Sequence, residues 1–423
     1  MKPFCKPLVS AAAAAVFVAG FCCKAEKCEK CGNEKNASVK TIAAVPAEDV
    51  KLLLPDTIYA TPGVETNIYF ENIVRVINPA NYIFEARCKK GRWDEKRWSF
   101  TPSDKDVGSF KIKINVIGNQ GVLASKRVNV VVAPRTAGKG RNISILMVGD
   151  SLTAGTAYPR RMFQLFQTQD NPKVFMVGTH SGAGRPRAND GVIHEGYGGW
   201  TWCSFNTKWT EDKEFAKLTK PIDVIYARSP FLAKKEGKLV YDLKEYFDRK
   251  NNGKAPDIIT FLLGINDIAS ANDENLEKRI AWVLENMDKL LTEMRKAAPD
   301  AVIGVGLTTG GATSQDAFGK SFGSRISRWQ FKKNQHRLVE AMLHKFAKSN
   351  PNNIRLIPAY INLDCEHNFP SLVEPINSGN KKTVVRLSNS VHPSLDGYSQ
   401  IGDTFFCWAK AMLAEQDKTS AKK

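Results

Sequence analysis

Between residues 48 and 134 apolar and polar positions alternate with a period of two. "FKIKINVI" (110–117) and "RVNVVVA" (127–133) are the clearest runs. Turn residues separate them, at Pro62-Gly63 and Asn119-Gln120-Gly121. Short strands at this spacing predict a small antiparallel β-sandwich. "APRTAGKGRN" (133–142) then reads as a linker, placed at 135–142. After it the pattern changes to strands alternating with helices. "ISILMVG" predicts a strand and Tyr158 to Thr168 a helix, and "DIITFLLG" (257–264) reads as a strand buried on both faces. From Asn275 to Ala298 the residues Leu276, Ile280, Val283, Leu284, Met287, Leu291 and Met294 fall on one helical face, and Pro299 stops the run. "AVIGVGL" (301–307) and "IRLIPAYI" (354–361) are further strands; Gln335–Ala347 and Pro393–Leu413 are further helices. This alternation over 143–415 predicts an α/β domain, a parallel sheet flanked by helices. Such a sheet presents ligands at the C-terminal ends of its strands.

The ends of the chain follow other patterns. Lys2 and Lys6 precede an apolar stretch from Leu8 to Phe21, which is the layout of a secretory signal over 1–23. The stretch is short for a membrane span. Cys22 or Cys23 is a candidate for a lipid anchor after cleavage, although Phe21 stands where such signals use a small residue. Residues 24–47 are polar and read as a tether, and 416–423 as a polar tail. The expected location is therefore outside the cytoplasm: periplasm, cell surface or secreted.

Hydrophobic content of 43% and charged content of 25% are ordinary for 423 residues, but a formal charge of +18 is not. A surface this basic favours nucleic acid, anionic lipid or acidic polysaccharide. With no finger, RNP or basic-helix motif, nucleic acid is set aside as a partner. Cys28 and Cys31 in "CEKCG" have metal-like spacing, yet no second pair or histidine follows nearby, so a disulfide or a plain polar tail is expected. Cys88, Cys203, Cys365 and Cys407 read as isolated thiols. No metal or cofactor is expected.

Four stretches carry candidate chemistry, each beyond a strand end or in a loop on the sheet's ligand face. "MVGDSLTAG" (147–155) puts Ser151 after the first strand of the parallel domain. "HEGYGGWTW" (194–202) is a glycine-rich turn. "LLGINDIAS" (262–270) carries Asn266 and Asp267, and "NSVHPSLDGY" (389–398) puts His392 before the last helix. Gly-Asp-Ser alone is more often a turn than a nucleophile; the four together in this order are not.

In that order and spacing the chain resembles the SGNH (GDSL) hydrolase family over roughly residues 143–415. The insert "SPFLAKKEGKLVYDLKEYF" looks like a bacterial extracellular branch of it, and "RWSFTPSDKDVGSFKIKINV" resembles the late strands of immunoglobulin-like modules found beside secreted enzymes. The resemblance implies a flavodoxin-like three-layer α/β/α domain behind an immunoglobulin-like sandwich. It also implies Ser151 as nucleophile, His392 as its base, and the Ser151 N–H, Gly199 N–H and Asn266 amide as oxyanion donors. Serine needs such a base to become nucleophilic. Each fixed donor on the developing oxyanion stabilises it by about 3–4 kcal/mol.

One position departs from the family pattern. Asn389 stands three residues before the histidine where the family has Asp; its amide oxygen can hold the imidazole, with a backbone carbonyl in a Ser-His pair, or Asp396, as the alternatives. Trp200 and Asp267 are expected at the substrate. Ser321 in "GKSFG" (319–323) spells a nucleophile elbow but lies in a polar stretch, so it is expected in a rim loop. His180, His194 and His367 read as structural, and Glu195 as exposed or supporting.

The expected activity is a metal-free serine esterase acting on O-acetyl groups of a polysaccharide or oligosaccharide. The alternatives are a glycan-binding protein of little or no turnover, and a lipase or acylhydrolase acting on lipid or small esters.

Overall fold

The computed structural model describes residues 49–182 and 190–420. The predicted signal, tether and cysteine-bearing N-terminal segment lie outside the described residues. The first strands are β1 (Thr57–Ala60), β2 (Thr66–Tyr69), β3 (Ile83–Arg87), β4 (Arg92–Trp93), β5 (Arg97–Phe100), β6 (Gly108–Gly118) and β7 (Gly121–Val132). They form a four-stranded sheet in the order β1-β7-β6-β3 and a three-stranded sheet in the order β2-β5-β4. Rings join the two across the core: Phe100 of β5 meets Phe110 of β6 edge-on at 5.4 Å, and Trp98 meets it at 6.4 Å. The two sheets face each other, but the all-antiparallel pairing expected of this region is corrected at one place. β1 pairs with β7 in parallel, not antiparallel. The turn at Pro62-Gly63 carries the chain from β1 to the opposite sheet, leaving β1 alongside the last strand.

The expected linker is a fitted joint. Ala137, Lys139 and Arg141 donate backbone hydrogen bonds to Pro134, Thr136 and Gly138, and Ala137 is buried. The buried Lys410 ammonium donates to the Ala137 carbonyl at 2.6 Å, and Gly138 N–H donates to Asp417 Oδ2 at 2.8 Å. Asp417 belongs to the helix Leu395–Ser420, so most of the predicted polar tail is helical.

No seam separates this module from the α/β part of the chain. Asn72 Nδ2 donates to the carbonyls of Tyr360 and Leu363 at 2.8 Å each, and Tyr69 N–H donates to Ile361 O at 2.9 Å. Ile58 and Val130 share one continuous core with Leu146 and Phe261.

The α/β part begins with β8 (Asn142–Gly149), β9 (Lys173–Val177), β10 (Glu195–Gly196), a hairpin of β11 (Leu232–Lys235) and β12 (Lys238–Tyr241), then β13 (Ile258–Leu262), β14 (Val302–Gly306) and β15 (Arg355–Ile357). All pairs in the main sheet are parallel. β9 and β10 lie one after the other along the same edge of β8, and β13, β14 and β15 follow on its other side. This is the doubly wound order 2-1-3-4-5 of flavodoxin-like sheets. Alternate strand residues face opposite layers. Ile145, Met147, Ile258 and Leu262 pack with the helices Ala157–Phe166 and Leu395–Ser420; Leu146, Val148, Ile259 and Phe261 pack toward Leu276–Ala297 and Arg328–Lys348. The last strands, β16 (Ser371–Pro375) and β17 (Thr383–Leu387), form a separate hairpin.

Two stretches differ from expectation. The helix expected from Gln335 begins at Arg328, because its buried face is partly polar (Asn334, Gln335, His336) and hides the period. The polar stretch around Ser321 is a helix, Gln315–Phe322, capped by Ser314 and seated on Ala317 and Phe318.

Candidate active site

Strand register assembles the site. Gly149, at the end of β8, pairs with Gly196 of β10 on one side and Leu262 of β13 on the other. Ser151, Gly199 and Asn266 therefore lie two to four residues beyond three strand ends that are level with each other. Both glycines at that level are demanded by crowding. A Cβ on Gly149 would sit 1.9 Å from Thr153 Oγ1, and one on Gly196 2.5 Å from Ala154 N.

Ser151 opens a short helix, Ser151–Ala154, N-capped by Asp150, whose Oδ1 accepts the Leu152 N–H at 3.0 Å. His392 comes from the loop before the last helix, and its Nε2 lies 2.8 Å from Ser151 Oγ. Partial burial lowers the His392 pKa below its ordinary 6.5, so the ring is neutral at neutral pH and able to accept the serine proton.

The glycine-rich turn after β10 also lies close to Ser151. A Cβ built on Gly198 would lie 3.9 Å from Ser151 Cβ, which puts the glycine turn against the serine. Gly198 N–H donates to the Tyr226 hydroxyl at 2.7 Å, which pins this turn. Gly199 has φ +77, and a Cβ there would meet nothing within 4 Å. Backbone conformation, not crowding, is what requires glycine at 199. Asn266 Nδ2 donates to Trp200 O at 3.0 Å, tying the amide to the residue after Gly199.

Three sequence expectations need correction. Asn389 does not hold the imidazole: its Oδ1 accepts the backbone N–H groups of Val391 and His392 at 3.1 and 2.9 Å, an Asx turn that shapes the histidine loop. Trp200 faces inward, 5% exposed and stacked on Tyr197 at 4.1 Å, so it supports the loop instead of meeting substrate. Asp267 is 1% exposed and so is withdrawn from a bound substrate. Burial pushes both Asp267 and Asp150 up to about 7, and the charge of Asp267 adds to the shift at Asp150.

Supporting groups emerge that the sequence left indistinct. Glu195 is fully buried and accepts hydrogen bonds from Thr179 Oγ1 at 2.6 Å, Tyr197 OH at 2.5 Å and Tyr246 OH at 2.6 Å. His194 Nδ1 accepts the Gly196 N–H, so its Nε2 carries the proton toward Thr156 Oγ1 at 2.9 Å. His180 is buried beside it, while His367 lies exposed against Asp364. Ser321 is no nucleophile elbow: it sits in a helix and its Oγ accepts the Ser390 N–H at 3.1 Å, bracing the loop that carries His392. Tyr226 had no motif to announce it, and only the fold brings it to Gly198.

A family model for GDSL-like lipase/acylhydrolase matches residues 145–405, more than half of the chain. The chain belongs to the GDSL-like lipase/acylhydrolase family. That assignment makes it an ester hydrolase. No curated protein matches it. Among solved structures, a family 3 carbohydrate esterase of Clostridium thermocellum shares 14% identity, covering 65% of this chain and 99% of its own, with a TM-score of 0.37. One from Talaromyces cellulolyticus shares 13%, covering 64% and 99%, at 0.35. A possible lipase from Chitinophaga pinensis shares 14%, covering 64% and 98%, at 0.34. Among the described residues no group of three or more His, Cys, Asp or Glu side chains is placed to hold a metal ion, and no helix is long and apolar enough to cross a membrane.

Proposed function

We propose that the protein is an exported serine esterase that removes O-acetyl groups from carbohydrate through an acyl-serine intermediate. The observation that carries the reaction is the 2.8 Å contact between His392 Nε2 and Ser151 Oγ. Ser151 Oγ attacks the ester carbonyl as its proton passes to His392 Nε2. The oxyanion is received by the Ser151 N–H, the Gly199 N–H and the Asn266 amide. Asn266 has two N–H groups, so the bond to Trp200 O leaves one for the oxyanion. The alcohol leaves with the proton from His392. Water, activated by the same ring, then releases the acid. In this reading Ser151 and His392 work as a pair, with the ring placed by the shape of its loop.

Export rests on the basic flank and short apolar core of residues 1–23, with Cys22 or Cys23 as a site for a lipid anchor. The carbohydrate substrate rests on that export and on the β-module fused to the catalytic part. Hydrolysis of p-nitrophenyl acetate by the protein and by Ser151→Ala tests the reaction; a loss of about 10³-fold or more is expected. Equal rates would leave a binding protein. Acetate release from a panel of acetylated glycans, with lipid esters alongside, tests the substrate class.

A further inference from the structure

The outer face of the four-stranded module sheet carries cations directly opposite one another. Arg87 of β3 pairs in register with Lys113 of β6, and Lys113 with Arg127 of β7. Neighbouring strands lie about 4.8 Å apart, and like charges at facing positions destabilise a sheet. Lys111, two residues from Lys113 on the same face, adds a fourth cation. The acid near them is Glu85, bonded to Arg87 at 2.8 Å and to Asn115 Nδ2 at 2.6 Å and also within the field of Lys113, one carboxylate among four cations. Lys111, Lys113 and Arg127 have no ion-pair partner among the described residues, although ion pairs are plentiful elsewhere on the molecule. The four cations line a depression of about 340 Å³, where the backbone of Ile112 runs between Lys111 and Lys113. Asn129, in register with Lys111, lies beside them.

An arrangement that costs stability in the free protein is relieved by a ligand of opposite charge. We infer that this face binds a linear anionic polysaccharide, a glycan bearing uronate carboxylates along its length. A rigid row of cations at strand spacing suits a polymer that repeats its charge at every unit or two. Lys113 is half-buried between the exposed Arg87, Lys111 and Arg127, so the charges form a narrow row that a single chain can follow. No aromatic ring lines the depression, so the stacking platforms that hold single-stranded nucleic acid are missing there. The inference is independent of the chemistry at Ser151 and assigns the module a ligand of its own.

The test uses the full chain and sodium polygalacturonate, with dextran as the neutral glycan. Phosphatidylglycerol vesicles and a single-stranded oligodeoxynucleotide are the competing polyanions. The triple variant K111Q/K113Q/R127Q is compared with K213Q/K278Q/K381Q, which removes the same charge from exposed positions elsewhere. Expected is binding of polygalacturonate that weakens about tenfold or more in the first variant and less than about twofold in the second. Dextran is not bound, and p-nitrophenyl acetate hydrolysis is unchanged in both variants, which also shows that each is folded. No binding by the unmodified protein, equal loss in the two variants, or an affinity for dextran, vesicles or oligonucleotide as high as for polygalacturonate overturns the inference. A protein inactive on every ester yet showing the expected binding would sink the esterase reading alone.

Discussion

Asn389 Oδ1 accepts the backbone N–H of His392 at 2.9 Å, so the residue that stands in the place of the family's aspartate acts on the main chain of the histidine and not on its ring. Asn389→Ala removes the Asx turn and lets the loop shift. We expect kcat to fall by about 10- to 100-fold with KM little changed, as misplacement of a catalytic group by about 1 Å does. Asn389→Asp accepts the same two N–H groups and keeps turnover within about threefold. A large gain in the aspartate variant, measured by steady-state kinetics, would mean that the ring is the true partner.

The pH profile should report the burial of His392. Its pKa lies below the ordinary 6.5, and the neutral ring is the active form. The acid limb of kcat/KM is thus expected to have its midpoint below 6.5. A midpoint near or above 7, from rates in buffers of constant ionic strength, contradicts a burial-dominated histidine.

Asp267 should make stability depend on pH. Its folded pKa is about 7 against an ordinary 3.8, so between those values the folded protein holds more protons than the unfolded chain. Stability from this group is present at low pH and is lost as pH rises through about 7. Asp267→Asn, which is neutral throughout, is expected to be more stable than the native protein by roughly 1–3 kcal/mol at pH 8, with little or no gain at pH 4.5. Urea unfolding at the two pH values checks this, and an equal effect at both would show that charge is not the cause.

Ser321 and Ser151 can be separated by covalent labelling. A fluorophosphonate probe should label the native protein and Ser321→Ala, and fail to label Ser151→Ala. Losing the Ser321 bond to Ser390 N–H is expected to lower kcat less than about tenfold, the scale of one hydrogen bond. Labelling abolished by Ser321→Ala alone would reverse the assignment.

The sheet and the proposed catalytic groups were legible because they depend on local pattern. "DIITFLLG" announces a buried strand by composition alone, and Ser151, Asn266 and His392 each lie in a short motif beside an element end. What was not legible depends on distant pairing. Nothing near β1 shows that it runs parallel to β7, and nothing near Tyr226 shows that its hydroxyl meets Gly198. Asn389 was misjudged because an amide three residues before a histidine reaches the ring or the intervening backbone equally well on paper, and only the loop's path decides. Trp200 and Asp267 lie in the right motifs but point inward, which adjacency in sequence does not reveal.

The joint at residues 134–141 and the Asn72 amide on the Tyr360 and Leu363 carbonyls leave the two halves of this chain without a plane of cleavage. Melting should be one cooperative event. A fragment begun at residue 143 would bare greasy surface and orphaned carbonyls, so expression of the catalytic half by itself should give aggregate instead of a smaller working enzyme.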